Sequence, residues 1–189
     1  MVVWGWIHKS LFQDQVGARM PPAKSLQRQA CKPDLAVHGF PMPKSYPTII
    51  PGLRSPFEQV GGIVYFGRML DKIRLNAEGN LPEEWASMVG PEHAGSFDSR
   101  CCSFLHIDYV DLVAETLKGG SDPKILEWAF ANGRHPTAEE IEVWNAFMTK
   151  RGWRDAGSQR VKERLKEIGL EPDTVRTMFD FIDLDEGRR

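Results

Sequence analysis

VGGIVYFGRMLDKIRLNAE, residues 60–78, is the stretch on which the fold turns. Stepping about 100° per residue from Ile63 puts Phe66, Gly67, Leu70, Ile73 and Ala77 on one face. Tyr65 and Met69 widen that face, and Val64 and Leu75 lie across from it. A surface helix leaves roughly half its circumference polar. Here only a stripe remains, made of Arg68, Asp71, Lys72 and Glu78. Arg74 falls inside the apolar arc, where a guanidinium needs a partner and hydrogen bonds. Asp71 stands three residues from both Arg68 and Arg74, within reach on a helix. The spacing predicts a helix buried on most sides, carrying an Arg68–Asp71–Arg74 ladder that needs further partners. Such a ladder serves either a structural ion-pair network or a ligand-binding charge cluster.

Around this helix the chain has 189 residues, 41% hydrophobic and 26% charged, with a formal net charge of -2. That fits one soluble domain with an extension and argues against a dedicated nucleic-acid binder. Residues 1–50 hold six Lys or Arg against two Asp or Glu, so the remainder is acidic. The three cysteines, Cys31, Cys101 and Cys102, form no disulfide framework, which points to a reducing, cytoplasmic setting. No run is long enough to span a membrane, and MVVWGWIHK is a poor signal peptide.

Residues 1–48 contain six prolines and no sustained periodicity. They read as a disordered leader, or as a product of a start placed upstream of Met20 or Met42. Residues 49–189 read as a single helical domain. Ser55, Pro56 and Glu58 resemble a helix start with a capping box. Further helices are expected over 81–89, from Asp108 to Leu117, from Ser121 to Ala131, from the Thr137–Glu140 capping box to Lys150, over 154–168, and from Thr174 to Leu184. FDSRCCSFLHID fits no clear class. The predicted architecture is all-α, a bundle of six to seven helices with short connections.

Several groups carry candidate chemistry. Asp180 and Asp183 lie one turn apart and can converge as acid and base, bind a cation, or neutralise arginines. Their spacing does not continue into an EF-hand, and no metal site is assigned. Arg100 near Cys102 could hold a thiolate, with Asp98 as acid or base beside it, although a free cysteine most often fills a core. In KRGWRD, residues 150–155, Arg151 and Arg154 can fork onto an anion, and Trp153 can stack or anchor the turn. The two helices around residues 123–150 make a poor helix-turn-helix, because the second opens on glutamates.

Taken in order, PGLRSPFEQVGGIVYFGRMLDKIRL, FDSRCCSFL with IDY, ILEWAF, EIEVWNAFMTKRGWRD and DFIDLDEGR resemble a bacterial family of domains of unknown function, number five-zero-six-nine. The resemblance runs from about residue 49 to the end. It implies a small, soluble, mainly helical module, and brings no activity, cofactor or catalytic residue with it.

The expected function is a non-catalytic cytoplasmic module that binds a small molecule or protein. Its pocket would be charged, with Arg68, Asp71, Arg74, Arg100, Trp153 and Arg154 as ligand-binding candidates. The alternative is an enzyme acting on an anionic small molecule, with Cys102, Asp98, Asp180 and Asp183 as catalytic candidates. No cofactor is assigned, and neither nucleic acid nor membrane is expected as a partner.

Overall fold

Gly61 and Gly62 take left-handed φ values of 57° and 83°, and this pair sets how the chain enters its main helix. Two glycines at positive φ make the two-residue turn that matches strand twist. They join β1, Gln59–Val60, to β2, Ile63–Val64, an antiparallel pair with Val60 opposite Ile63. The helix expected to start at Ser55–Pro56 therefore does not form there. Ser55 Oγ instead accepts from the Phe57 N–H at 3.2 Å and donates to Asp183 at 2.8 Å. Helix α1 begins only at Phe66 and runs to Ala77, behind Tyr65 at φ 73°.

The computed structural model describes residues 46–86, 88–91 and 95–189. The leader expected over residues 1–48 lies outside the described residues apart from its last three. Among the described residues the fold is all-α beyond the small hairpin. Seven helices have eight residues or more, and a single-turn segment, α2, spans Glu83–Ala86. The seven are α1 with α3 Phe97–Leu105, α4 Tyr109–Leu117, α5 Asp122–Asn132, α6 Ala138–Lys150, α7 Ser158–Glu167 and α8 Met178–Asp185.

Local cap chemistry explains most boundaries. Asp108 accepts from Val110 and Asp111, and Thr137 with Glu140 closes a full capping box. The unclassified FDSRCCSFL is α3, capped by Ser96 accepting from the Ser99 N–H at 3.1 Å. Two starts fall later than expected. Asp155 spends its carboxylate on the Gly152 and Gly157 N–H groups, so a turn delays α7 to Ser158. Thr177, not Thr174, caps α8.

Helix α1 sits at the centre. Phe66, Met69, Leu70 and Ile73 pack with Leu105, Leu112, Ile125, Met148 and Phe179 in the main core. Val161, Leu165 and Phe181 join α7 to α8, while Ile50, Leu53, Leu75, Leu81 and Trp85 fill a third cluster. Gly67 lets the incoming segment cross α1, since a Cβ there would stand 2.5 Å from Arg54 Nη1 and 2.9 Å from Val60 Cγ2.

The polar stripe on α1 is buried, and its charges form an ion-pair network with distant partners. Arg68 and Lys72 of that stripe are 2% and 4% exposed. Arg74, placed in the apolar arc, is the partly exposed one. The stripe is covered because α3 and the C-terminal turn dock onto it. Arg68 forks onto both oxygens of Glu186 and donates to the Arg54 carbonyl at 2.6 Å. Replacing Arg68 with Met leaves Glu186 buried beside Arg188 alone. It is expected to cost about 3–5 kcal/mol in urea unfolding, and Arg68→Met/Glu186→Gln should recover part of that loss. A single-variant cost below about 1 kcal/mol would mean the pair does not seat α8.

Candidate functional site

Where α1, α3, α7 and α8 approach, a cleft of about 770 Å3 opens. Tyr65 and Arg68 contribute from the start of α1, with Trp85 and Met88 beside them. Ser96 and Phe97 come from the start of α3. The loop Arg151–Gly157 and Arg160, Arg164 and Glu167 of α7 form another wall. Met178, Phe181, Ile182, Asp185 and Glu186 come from α8 and its cap. The loop can turn this tightly because Gly152 has φ 102°, and a Cβ there would stand 2.6 Å from Val161 Cγ2.

Behind one wall lies a buried polar group. Lys72 Nζ donates to both Asp98 oxygens at 2.6 and 2.7 Å, and to Tyr65 Oη at 3.0 Å. Tyr65 Oη donates to Asp98 Oδ1 at 2.8 Å, and the Gly90 N–H donates to Oδ2 at 2.8 Å. Burial pushes the Lys72 ammonium down from its ordinary value, against the pull of Asp98. Burial and the adjacent Asp98 push the Tyr65 phenol well up. Tyr65 also stacks near Phe97 and Phe179, with centroids 5.2 and 6.0 Å away.

The expected ladder divides. Asp71 accepts Arg54 at 2.6 and 2.7 Å rather than pairing with Arg68, and Arg74 stands 3.7 Å from it. Arg54 and Arg74 both reach Asp122, at 2.7 Å each. Burial would raise the Asp122 carboxyl, but the bonds from Arg74 and Arg54 hold it below the ordinary range. This four-charge cluster, with Asp71 and Arg74, is apart from the residues lining the cleft.

The acids of the tail serve otherwise than expected. Asp180 meets Arg189 at 2.8 Å, and Asp183 meets Ser55 and Arg188. Neither pairs with Arg68, Lys72 or Arg74; Glu186, Asp98 and Asp122 do. Arg100 donates to the Gly95 carbonyl at 2.9 Å and lies over Phe147. Trp153 is 43% exposed, with the Arg154 guanidinium over its ring at 5.2 Å, so it does not anchor the turn into the core. Of the ligand-binding candidates, Arg68 lines the cleft and the others stand outside it. Cys102 is buried outside the cleft, and burial with Asp98 and Asp108 pushes its thiol up to about 12. Among the described residues no group of His, Cys, Asp and Glu is arranged to hold a metal, and no helix is long and apolar enough to cross a membrane.

Sequence reasoning missed Trp85, Lys72 and Glu186 as the residues that build this region. Arg160 and Arg164 were legible as a pair, since i,i+4 spacing puts them on one face. No local pattern marked that face as a cleft wall.

The family model for a domain of unknown function, DUF5069, matches residues 50–188. The chain belongs to that family. No protein of curated function matches it. The start of the family match at residue 50 coincides with the first buried residue of the third cluster, Ile50.

The thiols supply a test of the electrostatics around Asp98. From an ordinary value of 9.0 to about 12, the Cys102 thiolate at pH 8 falls roughly a thousandfold. Iodoacetamide should therefore modify Cys102 far more slowly in the folded chain than in urea, read peptide by peptide by mass spectrometry. The folded value is the raised one, so Cys102 contributes stability below about pH 9, and that contribution is lost as pH rises toward 12. Tyr65 and Cys101 act in the same direction, being raised well above ordinary values by burial first. Lys72, lowered, acts oppositely, so alkali should lower the urea midpoint on balance. Equal alkylation rates in the two states would contradict the buried placement.

Proposed function

We propose that this domain is a non-catalytic binding module for a small organic molecule, held in the cleft between α1, α3, α7 and α8. One observation carries the proposal. The cleft has the size of ligand sites, with aromatic and apolar walls and a limited set of charged groups at defined places. Tyr65, Trp85, Phe97, Met178 and Phe181 give the apolar surface, and Arg151, Arg160 and Arg164 give the charge. A concave site of this depth suits a small molecule better than a protein surface. The three cysteines, which form no disulfide framework in the sequence, support a reducing, cytoplasmic setting.

The enzyme alternative draws on a single observation, Asp98 bonded to the hydroxyl of the cleft residue Tyr65. Against it, Asp98 already accepts from Lys72, Tyr65 and Gly90, and the Cys102 thiol is protonated at neutral pH. A binding role asks for no freed base or nucleophile and is the better supported.

Differential scanning fluorimetry against a panel of small organic acids and neutral metabolites tests this. At least one compound should raise the Tm of the native chain and fail to raise that of Ala156→Trp, whose indole would occupy the mouth. If no compound raises Tm, or each stabilises both proteins equally, the cleft is not a binding site.

A further inference from the structure

The cleft has two unlike ends, and α8 spans the distance between them. At one end the Met178 N–H donates to the Arg151 carbonyl at 2.8 Å. Asp185 and Glu186 lie about two turns further along, roughly 10 Å at 1.5 Å per residue. The first end carries three arginines, each facing a carboxylate. Arg151 bonds Asp155 through Nη1 at 2.8 Å, and Arg164 bonds Glu167 through Nη1 at 3.0 Å. Arg160 shares its Nη1 between Glu163 and Glu167 at 3.2 and 3.1 Å. Each guanidinium has five donors in a fixed fork, so Nη2 and Nε remain for an anion. Helix α7 carries Arg160, Lys162, Arg164 and Lys166 against Glu163 and Glu167. No side chain caps its N-terminus, where Gly157 lines the cleft.

The second end carries a different signal. Glu186 is neutralised there by Arg68 and Arg188. The Arg68 guanidinium lies 5.9 Å from the centre of the Trp85 ring. Trp85 lines the cleft and is only 8% exposed, yet its indole N–H has no acceptor. Buried donors are nearly always paired, and leaving one unpaired is costly.

Resting on the cleft as a small-molecule site, we infer that its ligand is an elongated organic anion. A carboxylate or phosphate lies against Arg151, Arg160 and Arg164. An apolar body runs along Phe181, and an acceptor about 10 Å from the anion takes the Trp85 N–H. The unspent guanidinium donors set the direction, since they stand at the first end while Glu186 at the second is already paired with Arg68 and Arg188. The two headgroups share the chemistry that a planar fork recognises.

Calorimetry with four biphenyl probes tests this. 4′-Acetylbiphenyl-4-carboxylate carries charge, apolar body and acceptor, and 4′-acetylbiphenyl-4-yl phosphate carries the other headgroup. The methyl ester of the carboxylate removes the charge, and biphenyl-4-carboxylate removes the acceptor. At least one of the two charged acetyl probes should bind about tenfold or more tighter than the ester, the charge-assisted bonds being the stronger kind. Which of the two binds tighter identifies the headgroup. Arg160→Ala/Arg164→Ala should abolish the advantage over the ester. Arg160 is exposed and Arg164 partly so, and circular dichroism checks that the double variant folds. Loss of the acetyl group should weaken binding to the native chain and leave binding to Trp85→Phe unchanged. The inference is overturned if the ester binds as well as the charged probes, if the double variant keeps the preference, or if the acetyl effect survives in Trp85→Phe. It also falls if no biphenyl binds, and the Ala156→Trp comparison then decides separately whether the cleft takes any small molecule.

Discussion

A charge taken out of water must find an opposite charge and hydrogen bonds, or it will not stay charged and buried. Helix α1 places three such charges, Arg68, Asp71 and Lys72, at less than a tenth exposure within five residues. Each is satisfied by a different distant segment. Arg68 takes Glu186 after α8, Asp71 takes Arg54 before the hairpin, and Lys72 takes Asp98 in α3. Apolar packing around Phe66, Leu70 and Phe179 is tolerant of small sliding, whereas a bidentate pair is not. The ion pairs therefore set the register in which the lead-in, α3 and the C-terminal turn dock on one helix. Arg188 ties the ends together by bonding Asp183, Glu186 and the Leu53 carbonyl.

What could be read from the sequence was what is decided locally. The Thr137–Glu140 box and the Asp108 cap concern residues three apart, and both form. The stop at Gly152 is equally local, because its φ of 102° is one that side chains resist. Ser55 shows where a local pattern deceives. Ser55, Pro56 and Glu58 satisfy a helix-start pattern, but the hydroxyl is claimed by Asp183, 128 positions away. The Gly61–Gly62 turn then fixes a hairpin where helix periodicity ran on through Ile63 and Val64.

The candidate site was less legible because periodicity reports the character of a face and not what covers it. Arg68, Asp71 and Lys72 read as a polar stripe on a mostly buried helix that needs further partners, and the spacing could not name Glu186, Arg54 and Asp98 as those partners. Arg74 misled in another way. Its Cα direction lies in the apolar arc, yet the long side chain carries its head out to Asp122. Trp85 falls in the helix expected over 81–89, which forms only as the single turn Glu83–Ala86, and periodicity there does not say that a cleft lies beside it. The Asp180–Asp183 pair looked like chemistry because the two are one turn apart. Their partners Arg189, Ser55 and Arg188 could only be known from how the ends of the domain meet.

The two charge clusters on α1 differ in a way that separates stability from function. Arg54, Asp71, Arg74 and Asp122 are two cations and two anions, each within reach of its opposite, so the cluster is neutral and closed. The cleft side differs in its hydrogen bonds. Its charges also balance, Arg151 against Asp155 and Arg160 with Arg164 against Glu163 and Glu167, but each of these arginines pairs through Nη1 alone. A cluster built only to seat helices has no use for surplus guanidinium donors beside an open space, or for an indole N–H left without an acceptor. On physical grounds the closed cluster maintains the fold, and the incomplete one is where a ligand would add what the chain itself does not provide.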